Sequence, residues 1–241
     1  MVPMLTRTFR VVTFDARGHG RSTKPSIGYG FATVTEDALA VIRATRLRRP
    51  VVVGHSWGAT VALHLAAHHP RSVVGGVLVD GGISDLRESM DWPTVKERLA
   101  PPELAGTHVD EFRRMMRAFL GESLDITPQI EEVVLSVMRV GRDGRIRPRL
   151  SRANHLRIMR AIWLQDPDEP LRRLSVPALA ILAYGAGDPE WDARKRRAVR
   201  RVAASGAPVR VSWIKGIHDL PLQRPGTLSA RIERFFHDAV R

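Results

Sequence analysis

A serine between two glycines, in Gly54-His55-Ser56-Trp57-Gly58, is the first residue of this sequence that points to chemistry. The β-branched run before it predicts a short buried strand, and the apolar spacing after it predicts a helix. A serine on so tight a strand-to-helix turn has a strained backbone and an exposed hydroxyl. Because the residues two before and two after it crowd each other, Gly54 and Gly58 are both expected to be required. Ser56 is therefore the candidate nucleophile.

The helix that follows the serine supplies a candidate oxyanion hole. Its N-terminal dipole and the backbone N–H of Trp57 lie where an acyl-transfer intermediate would develop negative charge.

A serine nucleophile needs a neutral imidazole to accept its proton. Of the nine histidines, only His218 lies in a loop directly after a late predicted strand, in Gly216-Ile217-His218-Asp219. Loops of this kind meet at the carboxyl edge of a parallel sheet, where such sheets bind ligands. We therefore predict that His218 is the base.

The imidazole in turn needs an acid to orient it, and two aspartates compete for that role. Asp188 follows the predicted strand Ala178–Tyr184 and is favoured. Asp80, at the end of the predicted strand Val73–Val79, is the alternative acid. Asp192 ranks third, and Asp219 adjoins the histidine too closely in sequence to orient it easily.

Alternating strands and helices predict an α/β fold with a mostly parallel sheet and helices on both faces. Arg10–Asp15 is predicted as its first strand. Residues 1–83 and 174–241 are assigned to this core, and residues 84–173, which show helical periods and no convincing strand, to an inserted helical cap. Candidate pocket residues in the cap are Trp92, Phe112, Met115, Met116, Phe119, Met159 and Trp163.

The net charge of +13 does not indicate nucleic-acid binding. The basic residues are scattered, and their densest run, Arg194–Arg201, is assigned to a solvated helix without interleaved aromatics. Neither a signal peptide nor a membrane-spanning apolar run is recognised, so we expect a cytoplasmic protein without a membrane partner. The oligomeric state is left open.

No cofactor is expected. Cysteine is absent, which excludes thiolate metal sites, and Gly18-His19-Gly20 lacks the third glycine of a dinucleotide fingerprint. His64 and His68 share a helix face, but no acidic residue adjoins either in sequence. They are therefore expected to be exposed helix histidines, and no metal is predicted.

With these residues in place, the chain resembles the α/β-hydrolase superfamily over nearly its whole length. The matching segments are the D-x-R-G-x-G-x-S turn at Asp15–Ser22, the elbow at Gly54–Gly58, the acid loop at Asp188-Pro189 and the histidine loop at Gly216–Asp219. Serine at position 56 argues against a resemblance to haloalkane dehalogenases and epoxide hydrolases, which use aspartate there.

The resemblance implies a serine hydrolase that cleaves an acyl bond of a small molecule, first of all a carboxylic ester, through an acyl-enzyme. The alternatives are a C–C bond hydrolase or a perhydrolase on the same triad, or a non-catalytic hydrolase fold.

One departure from the family pattern concerns the N-terminus. The family's first three strands, and the His-Gly segment that supplies a second oxyanion amide, should precede Arg10. The sequence therefore predicts an N-terminally truncated form of the fold. Loss of one oxyanion donor is expected to lower the rate by about a hundredfold or more.

Overall fold

The computed structural model describes residues 1–185 and 188–240. The first part of the chain forms α1 (Val2–Leu5), α2 (Phe31–Ala44), β1 (Val51–His55), α3 (Trp57–His68) and β2 (Gly75–Val79). After a 3-10 turn at Leu86–Glu88, the middle part forms α4 (Trp92–Leu99), α5 (Val109–Leu120), α6 (Pro128–Ser136), β3 (Met138–Val140), β4 (Ile146–Pro148), α7 (Arg152–Leu164) and α8 (Asp168–Arg173). The last part forms β5 (Ala178–Tyr184), α9 (Pro189–Ser205), β6 (Val209–Lys215), α10 (Leu220–Gln223) and α11 (Pro225–Val240).

The main sheet is parallel, with the strand order β1-β2-β5-β6. Alternate residues of β5 face opposite sides, because successive side chains of a strand point to opposite faces. Ala180 and Leu182 pack in a cluster with α2, α3, α8 and α9, whereas Leu179 and Ile181 pack in a cluster with α1 and α11. The prediction of a parallel sheet covered by helices on both faces is confirmed.

The prediction of a strand at Arg10–Asp15 is wrong. In the described part of the chain this segment makes no ladder hydrogen bonds, and β1 pairs with β2 alone. Side chains hold the start of the segment instead. The ring centroids of Phe9, the residue before it, and Phe236 lie 4.6 Å apart, and the Arg10 guanidinium donates to the Thr45 carbonyl at 2.8 Å. A β-branched run forms a strand only where another strand is available to pair with it.

The middle of the chain also differs from its purely helical prediction. β3 and β4 pair as an antiparallel hairpin whose turn has Gly144 at φ 72°. Met138 and Ile146 are buried against Phe112 of α5. The Asp143-Gly144 pair between two alternating runs is a hairpin signal that the helical period obscured.

Not all of the predicted insertion lies apart from the sheet layer. Leu171 of α8 is 1% exposed and packs in the cluster that joins α3 to the sheet. The helices α4 and α7 pack on each other, and Trp92, Met159 and Trp163 contribute to their interface. The assignment of residues 84–173 to a cap stays a prediction.

Two phenylalanines give a matched test of the core. Phe235 is 1% exposed between α11 and the sheet, whereas Phe119 of α5 is 83% exposed. We expect Phe235→Ala to lower the free energy of unfolding by about 3–5 kcal/mol, because it leaves a cavity. Phe119→Ala should change it by less than about 0.5 kcal/mol. Urea denaturation measures both, and equal losses would contradict the core described here.

Candidate active site

Ser56 occupies the turn between β1 and α3 in a strained conformation. Its φ of 55° and ψ of −119° are rare for a residue with a side chain. The strain is held in place because the Ser56 amide donates to the Val79 carbonyl of β2 at 2.9 Å. The turn therefore aims the Ser56 hydroxyl above the carboxyl edge of the sheet.

Close backbone contacts explain one elbow glycine but not the other. A Cβ at Gly54 would lie 1.9 Å from the Gly58 carbonyl oxygen, so no side chain fits there. A Cβ at Gly58 would meet no heavy atom within 4 Å. The expectation that both must be glycine therefore holds for Gly54 only. Gly81, which the sequence did not single out, is a third tight position, since its Cβ would lie 2.4 Å from the Ser56 carbonyl oxygen.

The structure brings His218 to Ser56. The loop after β6 places the His218 Nε2 2.9 Å from the Ser56 Oγ. The backbone carbonyl of His218 accepts a hydrogen bond of 2.9 Å from the His55 Nε2, and the ring centroids of the two histidines lie 4.7 Å apart. Burial lowers the pKa of His55, and the nearby His218 lowers it further, so His55 is neutral. As a hydrogen-bond donor, His55 holds the loop that carries His218.

The acid beside His218 is Asp80, and the expected contact with Asp188 is not found. The Asp80 Oδ2 accepts from the His218 Nδ1 at 2.7 Å. Asp188 instead caps α9, because its Oδ1 accepts from the amides of Glu190 and Trp191 at 3.0 and 3.2 Å. The physical reason is sheet order: β2 adjoins β1, so the residue after β2 comes out beside the elbow.

Asp80 is buried, with 1% of its side chain exposed, and three donors compensate its charge. Besides His218, these are the Ala183 amide at 2.8 Å and the Lys195 ammonium, 2.8 Å from Oδ1 and 3.0 Å from Oδ2. Burial alone would raise the pKa of Asp80, but the hydrogen bond from His218, the charge of Lys195 and the Ala183 amide together hold it below its ordinary value. The carboxylate is thus ionised at neutral pH.

Lys195 was missed because its run of basic residues was assigned to a solvated helix. Only 13% of its side chain is exposed, and its ammonium also donates to the Ala183 carbonyl at 2.8 Å. Arg194 is 1% exposed and lies over the Trp191 ring at 4.1 Å. One side of α9 is therefore turned into the protein, and basic residues there compensate and stack rather than face solvent.

The Trp57 amide lies at the N-terminus of α3, directly after Ser56. Trp57 is the first residue of α3, so its N–H has no acceptor within the helix. The indole of Trp57 stacks on His19 with ring centroids 5.3 Å apart. His19 belongs to the Asp15–Ser22 turn, whose Asp15 side chain accepts from the Arg21 amide at 2.8 Å. This turn therefore contacts the elbow through one ring pair.

A cavity of about 430 Å³ opens beside these residues. Ser56, Asp80 and His218 line it together with the apolar side chains of Leu86, Leu99, Met159, Ile162, Leu182 and Trp191. Among the described residues that line it there is no arginine.

Of the pocket residues predicted in the cap, Met159 alone lines this cavity. Trp92 and Trp163 pack on each other and on Arg160, Phe112 and Met116 are buried, and Met115 and Phe119 are exposed. Helical spacing therefore marked packing positions more often than pocket positions.

The His64 and His68 pair lies outside this cavity. Only His68 is exposed, His64 being partly buried, and the fold brings Glu169 of α8 within 3.2 Å of the His68 Nε2. No acidic residue adjoins the pair in sequence, but Glu169, which is distant along the chain, supplies a carboxylate beside it.

Among the residues that the structure describes, none of the helices combines the length and the apolar character required to traverse a lipid bilayer.

Comparison with known proteins agrees with the fold. A family model described as the alpha/beta hydrolase fold matches residues 1–127. A non-heme chloroperoxidase of Streptomyces lividans is 35% identical over 119 residues, which cover 49% of this chain and 40% of that protein. A 2-hydroxy-6-oxononadienedioate/2-hydroxy-6-oxononatrienedioate hydrolase of Pseudomonas putida is 26% identical over 191 residues, which cover 77% of this chain and 63% of the relative.

A solved structure supports the fold over nearly the whole chain. The crystal structure of E-2-(acetamidomethylene)succinate hydrolase superposes with a TM-score of 0.79 at 22% identity, covering 98% of this chain and 85% of that one. The chain belongs to the alpha/beta hydrolase fold family. Its matched regions span less than two thirds of the length of either curated relative.

The two elbow glycines allow a matched test. We expect Gly54→Ala to lower the free energy of unfolding by about 1–3 kcal/mol or more, because the new methyl overlaps backbone that cannot move. Gly58→Ala enters open space in a helix and should raise it by about 0.5–1 kcal/mol. Urea denaturation of both variants is the measurement. A neutral Gly54→Ala, or equal effects of both, would contradict the elbow geometry.

Proposed function

We propose that this protein is a serine hydrolase that cleaves carboxylic esters of small, largely apolar substrates through an acyl-enzyme. The observation that carries the proposal is one continuous chain of hydrogen bonds, from the Ser56 Oγ to the His218 Nε2 and from the His218 Nδ1 to the Asp80 Oδ2. An ionised carboxylate fixes the proton on Nδ1, which leaves Nε2 free to accept the serine proton.

The reaction follows from this order of groups. Ser56 attacks the ester carbonyl while its proton passes to His218, and the resulting imidazolium is stabilised by Asp80. The oxyanion of the tetrahedral intermediate lies at the N-terminus of α3, where the Trp57 amide donates to it. The intermediate collapses as His218 returns the proton to the departing alcohol. Water, deprotonated by His218, then attacks the acyl-enzyme. As this second tetrahedral intermediate breaks down, His218 returns the proton to the Ser56 Oγ, and the acid is released.

Lys195 is the proposed positioning residue for Asp80. Its ammonium contacts both carboxylate oxygens and the Ala183 carbonyl, so the carboxylate cannot rotate away from His218. Because Lys195 also neutralises part of the negative charge, Asp80 stays ionised despite its burial.

The cavity supports a preference for uncharged, apolar substrates. Most of the exposed wall surface is apolar, and the ammonium of Lys195 is already paired with Asp80. Two further carboxylates line the cavity, and each accepts a backbone hydrogen bond: Asp188 from the Glu190 amide at 3.0 Å and Asp192 from the Gly185 amide at 3.1 Å. We propose that residues 84–173 act as a cap, since Leu86, Leu99, Met159 and Ile162 from this range line the cavity above the sheet edge. No metal or organic cofactor is required by the proposed steps.

A second candidate function uses the same residues on other substrates. The two curated relatives are named as a chloroperoxidase and as a dienedioate hydrolase. Perhydrolysis and C–C bond hydrolysis are therefore the alternatives, and a non-catalytic hydrolase fold is the third. Comparing p-nitrophenyl ester hydrolysis with peracid formation from acetate and hydrogen peroxide, and with cleavage of a 2-hydroxy-6-oxodienoate, distinguishes them.

The first test is covalent labelling of the purified protein by a fluorophosphonate probe. We expect Ser56 to be labelled stoichiometrically, because an activated serine attacks the phosphorus, and Ser56→Ala to be inert. Intact mass and peptide mapping measure both. A folded parent protein that stays unlabelled would overturn the proposal and favour the non-catalytic fold.

The second test separates the two aspartates. Asp80→Asn should lower kcat by about 10³–10⁴-fold, because an amide no longer fixes the tautomer of His218. Asp188→Asn is the matched control, since asparagine caps helices as well as aspartate does, and it should change kcat less than about threefold. Ester hydrolysis at saturating substrate is the measurement. The reverse ranking would restore Asp188 as the acid.

A further inference from the structure

Three potential metal ligands meet at the carboxyl end of α3. His64 and His68 lie one helical turn apart, and Glu169 of α8 faces them. One ligand atom from each residue lies within 4.8 Å of the others, and the His68 Nε2 is 3.2 Å from the Glu169 Oε2. Nothing in the proposed hydrolysis uses these side chains.

We propose that His64, His68 and Glu169 form a binding site for one Zn²⁺ ion that joins α3 to α8. Two imidazole nitrogens and one carboxylate oxygen suit zinc, whereas calcium and magnesium take oxygen ligands. Zinc bonds of about 2.0–2.2 Å in a tetrahedron separate ligand atoms by about 3.4 Å. The His68–Glu169 pair already has such a separation, 3.2 Å. All three ligand atoms lie within 4.8 Å of one another, and the partly exposed side chains of His68 and Glu169 can move the remaining distance.

The His64 ring is held in place by its neighbours. The Gln165 side chain is hydrogen-bonded to it. The centroid of the Phe31 ring lies 4.8 Å from that of His64, with the two rings stacked, and the centroid of the His68 ring lies 5.5 Å away. A ligand ring that is already held loses less conformational freedom when it binds an ion.

Neighbouring side chains orient the proposed ligands. Arg173 donates to the Glu169 Oε1, which orients the carboxylate and leaves Oε2 towards His68. Gln165 is hydrogen-bonded to His64 and helps to orient its ring. The fourth position of the tetrahedron can be taken by water.

The zinc site would be separate from the reacting groups. Along α3, His64 and His68 lie about 12 and 18 Å beyond Ser56, at a rise of about 1.5 Å per residue. A bound ion would therefore contact no reacting atom. Its role is to fasten the carboxyl end of α3 to α8, at the opposite end of the helix from Ser56. This link adds stability to the folded state.

The experiment is a titration of chelator-treated protein with ZnCl₂ at pH 7.5, measured by isothermal titration calorimetry. Tm is measured on the same samples. We expect one equivalent of Zn²⁺ to bind and to raise Tm by several degrees, because zinc binds the folded state preferentially. CoCl₂ as a second probe should give the intense visible absorption of tetrahedral cobalt. Neither readout depends on hydrolysis.

Variants decide whether the bound ion sits in this cluster. His68→Ala and Glu169→Gln should each weaken Zn²⁺ binding at least about tenfold, since removing a ligand exceeds the effect of losing an outer-shell partner. His69→Ala is the matched control, because His69 lies next to His68 but pairs with Glu36, 3.6 Å away, and it should bind zinc as the parent does.

Circular dichroism verifies that each variant is folded. Absence of one-equivalent binding in the parent, parent-like binding in His68→Ala, or an equal loss in His69→Ala would each overturn the proposed site.

Discussion

A carboxylate inside a protein needs donors that replace water, and those around Asp80 come from widely separated parts of the chain. Ala183 belongs to β5, Lys195 to α9 and His218 to the loop after β6. Uncompensated, a buried ion carries a penalty of several kcal/mol, so the fold is strongly favoured only when these elements meet. The geometry around Ser56 depends on this one charge, because Asp80 orients the imidazole and Lys195 orients Asp80.

The sequence predicted the serine and the histidine better than the acid. Ser56 and His218 follow strands with clear signals, and the structure brings them together. Asp188 also follows a strand, but Asp188-Pro189 is equally a helix start, with an N-cap aspartate before a first-turn proline. Which role an aspartate takes depends on the neighbour of its strand in the sheet, and strand order is a long-range property that local spacing does not contain.

Lys195 illustrates a second limit of local reasoning. A run of basic residues looks solvated, yet one side of α9 is turned into the protein and buries Arg194 and most of Lys195. A signal was present, since lysine is rare in this arginine-rich chain and offers three donors on a point charge. At the level of the fold, β5 has its predicted bounds. The strand predicted at Arg10–Asp15 is wrong because a strand depends on a partner. The β3–β4 hairpin is absent from the prediction because the helical period of the surrounding residues concealed its turn.

The position of β1 in the sheet has a consequence for how the elbow moves. In the part of the chain that the structure describes, β1 has β2 as its neighbour, and Ser56 is tied to that same strand through the Val79 carbonyl. A strand hydrogen-bonded on one side can separate by breaking a single ladder, which takes less free energy than global unfolding. The amides of β1 should therefore exchange with deuterium ahead of those of β5. Such a local opening would withdraw the Ser56 hydroxyl from His218 while the remainder of the sheet stays folded.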